Sequence, residues 1–124
     1  MDRRNFIRVM AAWGASTALD WKFLPGIEVG SNDIVLPKRR YSAFPETDLD
    51  ATLRSKGIQD VIISGVMTNL CCETTARDAF MRDYRVFFLI DGTATGRSEF
   101  HMATLKNLGF GFAYLLTCEE LIQM

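Results

Sequence analysis

Apolar and polar positions along this chain fall into blocks that predict strands and helices in turn. Ile34, Val35 and Leu36, entered through Asp33, read as a short buried strand ended by Pro37. Thr47 stands three residues before Asp50, a capping-box-like helix start, and Leu49 and Leu53 share one face of the turn that follows. Gly57 after Lys56 is the expected stop. Val61, Ile62 and Ile63 then make a continuous β-branched run closed by Ser64 and Gly65. A second helix is predicted from about Leu70 to Asp83, because Cys72, Ala76, Ala79 and Phe80 form one apolar stripe. Val86 to Ile90 is the next apolar run, broken at Asp91 and Gly92. A third helix runs from about Ser98 to Gly109 with Leu105 and Leu108 inward, and Ala113 to Leu116 reads as the last strand. Thr117 with Glu120 repeats the capping-box pattern ahead of a short terminal helix.

Strands apolar on both faces, alternating with helices, describe an α/β fold: a three-layer, Rossmann-like parallel sheet flanked by helices. Such sheets hold their sites at the carboxyl ends of the strands. A length of 124 residues allows one domain at most. The pattern places that domain in residues 26–124 and sets residues 1–25 apart.

In that first part, Arg3-Arg4-Asn5-Phe6-Ile7-Arg8 followed by Val9-Met10-Ala11-Ala12 resembles a twin-arginine export signal, with Ser16 and Ala18 as the small residues of a cleavage site. Trp13 and Gly14 interrupt its apolar region, so a lead-in helix stands as the other reading.

The net charge of −1 gives no electrostatic reason to expect nucleic acid or an anionic membrane as partner. No stretch is apolar for long enough to span a bilayer. Three cysteines, two of them adjacent, make no disulfide framework and point to free thiols in a reducing compartment. A cytoplasmic location is therefore expected, with twin-arginine export through Arg3-Arg4 as the alternative. One histidine and no CxxC pair leave zinc without a ligand set.

The chemistry concentrates in Gly65-Val66-Met67-Thr68-Asn69-Leu70-Cys71. A strand ends, the chain turns, and a thiol arrives at the first turn of the next helix. Unpaired N–H groups and the helix dipole there favour a thiolate. The same N–H groups can receive the oxygen of a tetrahedral intermediate. Cys72 begins the apolar stripe and should be structural. Cys118 also lies beside a helix start, but nothing around it suggests a site. His101 is expected to be a surface or packing residue.

Lys38-Arg39-Arg40-Tyr41-Ser42-Ala43-Phe44, Thr47-Asp48-Leu49, and Gly65 through Ala79 together resemble the isochorismatase-like cysteine hydrolases, among them nicotinamidases, N-carbamoylsarcosine amidase, ureidoacrylate amidohydrolase and isochorismatase. The resemblance runs from about Gly26 to the C-terminus. It implies that Cys71 is the nucleophile and Lys38 its partner, with the backbone N–H groups of Met67 and Cys71 as oxyanion hole and a cis peptide between Val66 and Met67. It further implies hydrolysis of a C–N bond in a small amide or ureido compound through a thioester, no cofactor, and a homo-oligomer.

One departure matters. The family's Asp-x-Gln-x-x-Phe pattern, whose aspartate ends the first strand, has no counterpart here. Asp20 follows no apolar β run. Relative to the family the chain thus reads as N-terminally truncated, missing the first strand and with it the general acid/base. Metal-binding relatives carry their ligands in that same region, so no metal is expected. An impaired hydrolase is the expectation, with a catalytically inactive paralogue or interaction module, pairing with a full-length relative, as the alternative.

Overall fold

A computed structural model describes residues 9–13, as backbone, and 26–124. In chain order they form β1 (Val9–Trp13), β2 (Ile34–Lys38), α1 (Leu49–Ser55), β3 (Asp60–Val66), a π turn (Thr68–Cys72), α2 (Glu73–Met81), β4 (Arg85–Ala94), α3 (Ser98–Gly111), β5 (Tyr114–Leu116) and α4 (Cys118–Gln123). All pairing among them is parallel. β1 lies beside β2, and β3, β4 and β5 make a second sheet in that order. Each neighbouring pair in the second sheet is joined through a helix, as parallel strands require. Among the described residues no strand covers the second edge of β3.

β1 departs from the sequence expectation. The sequence of residues 1–25 suggests a lead-in helix or export signal, but Val9–Trp13 is a strand in register with Ile34–Lys38, Trp13 pairing with Lys38. A five-residue apolar run has no intrinsic choice between helix and strand, and here a partner strand settles it. Arg3, Arg4, Ser16, Ala18 and Asp20 lie outside the described residues. No described helix is long and apolar enough to cross a membrane.

The core is one cluster to which α1, α2, α3 and β4 all contribute side chains. Phe88, Leu108, Ala76 and Ala79 are fully enclosed. Burying a side chain such as Phe88 or Leu108 contributes about 1.5–3 kcal/mol each. β4 reaches past the predicted break at Asp91-Gly92 to Ala94, with a register irregularity opposite Ile63 to Gly65. Gly92 fits that irregularity because a Cβ there would stand 2.7 Å from Leu89 Cβ. β3 is less covered: Val61, Ile62 and Ile63 are only half-buried.

Two predicted caps turned out differently. Thr117 and Glu120 form the full capping box: Glu120 N–H donates to the Thr117 hydroxyl at 3.1 Å, and Thr117 N–H donates to Glu120 Oε2 at 2.7 Å. Thr47 makes no such box with Asp50. Its hydroxyl donates back to the carbonyls of Ala43 and Phe44, at 2.6 and 3.0 Å. Asp50 instead accepts from the Tyr84 hydroxyl at 2.7 Å, which holds its carboxyl below the usual range.

Candidate active site

Two chain segments converge here, one from β2 and one from β3. Along β2 the side chains alternate, so Leu36 and Lys38 turn inward while Pro37 faces out. Lys38 is only 4% exposed. Its ammonium donates to the Arg40 carbonyl at 2.8 Å and to Cys71 Sγ at 3.3 Å. Arg39 and Arg40 are exposed, and Arg40 pairs with Glu46 at 3.0 Å.

From β3 the chain leaves through Gly65, whose φ of +112° favours glycine. The Val66–Met67 peptide is cis. Val66 and Met67 are exposed at this strand end, which opens the position beside Cys71 to solvent. The helix does not begin at Leu70 as its apolar stripe suggests. The Met67 carbonyl accepts from Leu70 N–H and, five residues on, from Cys72 N–H, both at 3.2 Å, so a π turn precedes α2 and carries Cys71 within it. Turns of this kind occur often at functional sites.

Side-chain ties lock these segments together. Ser42 donates to Asp78 Oδ2 at 2.6 Å, Ala43 N–H donates to the Thr75 hydroxyl at 3.1 Å, and Phe44 N–H donates to the Ser42 hydroxyl at 3.2 Å. Through them the loop after Lys38 is fastened to α2, the helix that continues from Cys71. On the other side, Thr68 Oγ1 lies 2.9 Å from His101 Nδ1. Asn69 Oδ1 accepts from the Thr95 hydroxyl at 2.8 Å. Glu73 accepts from Arg77 at 2.9 Å and, through its other oxygen, from Thr104 at 2.6 Å.

The neighbouring thiols differ. Cys72 is buried, as its place on the apolar stripe predicts, and burial above all pushes its thiol up to about 12, with the neighbouring Cys71 adding to the rise. Cys118 is raised by its contact with Asp91, which also accepts from Cys118 N–H at 2.7 Å. Among the described residues no group of three or more His, Cys, Asp or Glu side chains gathers as a metal centre would need.

The structure therefore brings Lys38, Val66, Met67 and Cys71 to one place. Ser42, Glu73, Thr75 and Asp78 lie within the stretches that carry the resemblance, but the ties they make were not legible from it, and Thr104 and His101 lie outside those stretches. Thr75 and Thr104 carried a further signal, since they sit beside the apolar stripes of their helices, where a hydroxyl needs a partner.

The Isochorismatase domain profile matches residues 2–120. Nicotinamidase 3 of Arabidopsis thaliana is 54% identical over 94 residues, 76% of this chain and 48% of that protein. A ureidoacrylate amidohydrolase of Variovorax paradoxus is 34% identical over 105 residues, 84% of this chain and 42% of that protein. The solved structure of an isochorismatase-like hydrolase from Alkaliphilus metalliredigens aligns with a TM-score of 0.84 at 32% identity, covering 94% of this chain and 71% of that one. The chain spans about half the length of the curated relatives it matches, from 40% to 56%. A match that takes in both β1 and the Cys71 turn leaves one assignment: the chain belongs to the isochorismatase family.

Proposed function

We propose that this chain is a cysteine hydrolase of small amide or ureido compounds, with Cys71 as nucleophile and Lys38 as its charged partner. The observation that carries the reading is the 3.3 Å contact from Lys38 Nζ to Cys71 Sγ. An ammonium at that distance stabilises negative charge on sulfur and holds the side chain toward the open strand end. In the reaction, sulfur attacks the carbonyl carbon, and the resulting oxyanion is met by the N–H groups of Met67 and Cys71. The C–N bond breaks, nitrogen leaves with a proton, and the acyl group stays on sulfur as a thioester. Water then attacks the thioester, releasing the acid and restoring the thiol. The relatives named as nicotinamidase and ureidoacrylate amidohydrolase support this substrate class.

The leaving nitrogen needs a proton, and the family's Asp-x-Gln-x-x-Phe pattern has no counterpart in this sequence. General acid–base help is worth about 10²–10⁴-fold in rate, so the chain alone hydrolyses amides slowly. The test is ammonia release from nicotinamide and from a ureido compound, with Cys71→Ala beside it. Turnover should stay below about 1 s⁻¹. Faster turnover abolished by the substitution would keep Cys71 and overturn the impairment. Turnover that survives the substitution would overturn Cys71.

A second reading, an interaction module that pairs with a full-length relative, is favoured by β3, whose Val61 to Ile63 are half-buried beside an edge that no described strand covers. Light scattering should then show an oligomer, and a stable monomer would remove this reading.

A further inference from the structure

Thr68 opens the π turn directly after the cis peptide and has no exposed surface. A hydroxyl buried that deeply is costly to leave without a partner. Its partner is Nδ1 of His101, at 2.9 Å, brought in from the first turns of α3. His101 and Thr104 lie three residues apart and so share one face of that helix. His101 holds Thr68, three residues before Cys71, and Thr104 holds Glu73, two residues after it. One face of α3 thus grips the turn on both sides of the nucleophile. The grip at Glu73 is shared with Arg77.

We propose that His101 is a positioning residue for the reaction at Cys71. Its Nδ1 fixes the Thr68 hydroxyl, and through it the turn that sets the Met67 amide and Cys71 Sγ opposite Lys38. The inference rests on Cys71 as nucleophile. The imidazole suits the task because its Nδ1 is a polar atom only two bonds beyond Cβ, held close to the helix backbone. Asparagine places its amide near the position of Nδ1, whereas glutamine, one carbon longer, places it near Nε2. This difference separates a role for Nδ1 from a role for bulk.

The experiment is the initial rate of iodoacetamide labelling at each cysteine of the native chain, resolved by mass spectrometry, with thermal unfolding recorded for every variant. His101→Gln should slow Cys71 about tenfold, the scale of one lost hydrogen bond, while His101→Asn stays within about threefold of the parent. Thr68→Val should slow Cys71 as much as His101→Gln, and the double variant should be no slower than either single one, because both remove the same contact. Equal Cys71 rates in the Asn and Gln variants would overturn the role of Nδ1, as would fully additive effects of Thr68→Val and His101→Gln. Both His101 variants keep a polar side chain of similar size, and if His101→Gln does not fold, the comparison of Thr68→Val with Thr68→Ser decides in its place. A parent Cys71 that labels no faster than Cys118 would contradict the proposed function itself and take this inference with it. A fast parent Cys71 indifferent to His101→Gln would contradict the positioning role alone.

Discussion

Cys71 and Cys118 occupy the same kind of place in the fold, yet their surroundings are opposite. Each follows the carboxyl end of a parallel strand, β3 or β5, and each enters a helix. At Cys71 the neighbouring segment brings the buried ammonium of Lys38 to 3.3 Å from sulfur. At Cys118 it brings the Asp91 carboxylate, which raises the thiol and takes the N–H group of the turn for itself. The Glu120 carboxylate of the capping box adds a second acceptor there. Position at a strand end is therefore shared by the two thiols. What differs is the charge that the adjacent element delivers to each, an ammonium at Cys71 and a carboxylate at Cys118.

That contrast can be broken most forcefully at Lys38. Lys38→Met should slow iodoacetamide labelling of Cys71 about ten- to a hundredfold at neutral pH and leave Cys118 unchanged, since it removes the ammonium that donates to the Cys71 sulfur. An unchanged Cys71 rate would mean that the turn itself supplies the activation.

The next effect concerns the thiol beside the nucleophile. Cys72 is raised from 9.0 to about 12, chiefly by burial, and Tyr84 from 10.0 to about 12 by burial and by its bond to Asp50. Both groups hold their protons more tightly in the folded chain than in the unfolded one, so the folded state binds more protons as each unfolded group ionises. Their contribution is complete below about pH 9 and is lost as pH rises toward about 12. The thermal midpoint should fall across that window, and Cys72→Ala and Tyr84→Phe should each flatten the fall. A midpoint indifferent to pH there would show that Cys72 is not held in the core as described.

A smaller effect is expected at the tie that fastens the Lys38 loop to α2. Ser42→Ala removes the donor to Asp78 and the acceptor of Phe44 N–H, and should cost about 1–3 kcal/mol by denaturant unfolding. It should also slow Cys71 modestly, because Lys38 loses its anchor. The smallest effect is Asp91→Asn, which should lower the Cys118 thiol and speed its labelling without bringing it to the Cys71 rate. A Cys118 made as fast as Cys71 would mean that Lys38 adds nothing beyond the absence of an acid.

Most of the sheet and its helices could be read from the sequence because β-branched runs and helical stripes are local signals, as Val61 to Ile63 and Cys72 to Phe80 illustrate. The Lys38 and Cys71 pairing came from motif resemblance, and the 3.3 Å contact is its geometric form. What escaped was set by partners that hydrophobic patterning does not report. Val9–Trp13 is a strand only because β2 lies beside it. Thr47 stands one residue ahead of the helix cap at Asp48, so its hydroxyl accepts from Leu49 N–H at 3.3 Å and donates to the Ala43 and Phe44 carbonyls and makes no box with Asp50. The π turn rests on two bonds that each span five residues, from Cys72 N–H to the Met67 carbonyl and from Glu73 N–H to the Thr68 carbonyl, which no apolar period reports. A lone histidine on a helix carries no sign that a buried threonine 33 residues earlier depends on it.

The most direct test of Cys71 as the activated nucleophile is its acylation by p-nitrophenyl acetate, whose leaving group departs without needing a proton and so bypasses the general acid. The account predicts a burst of p-nitrophenolate matching the chain concentration, with the acetyl group on Cys71, absent in Cys71→Ala and slowed in Lys38→Met. No burst, or acetyl spread evenly over Cys71 and Cys118, would contradict it.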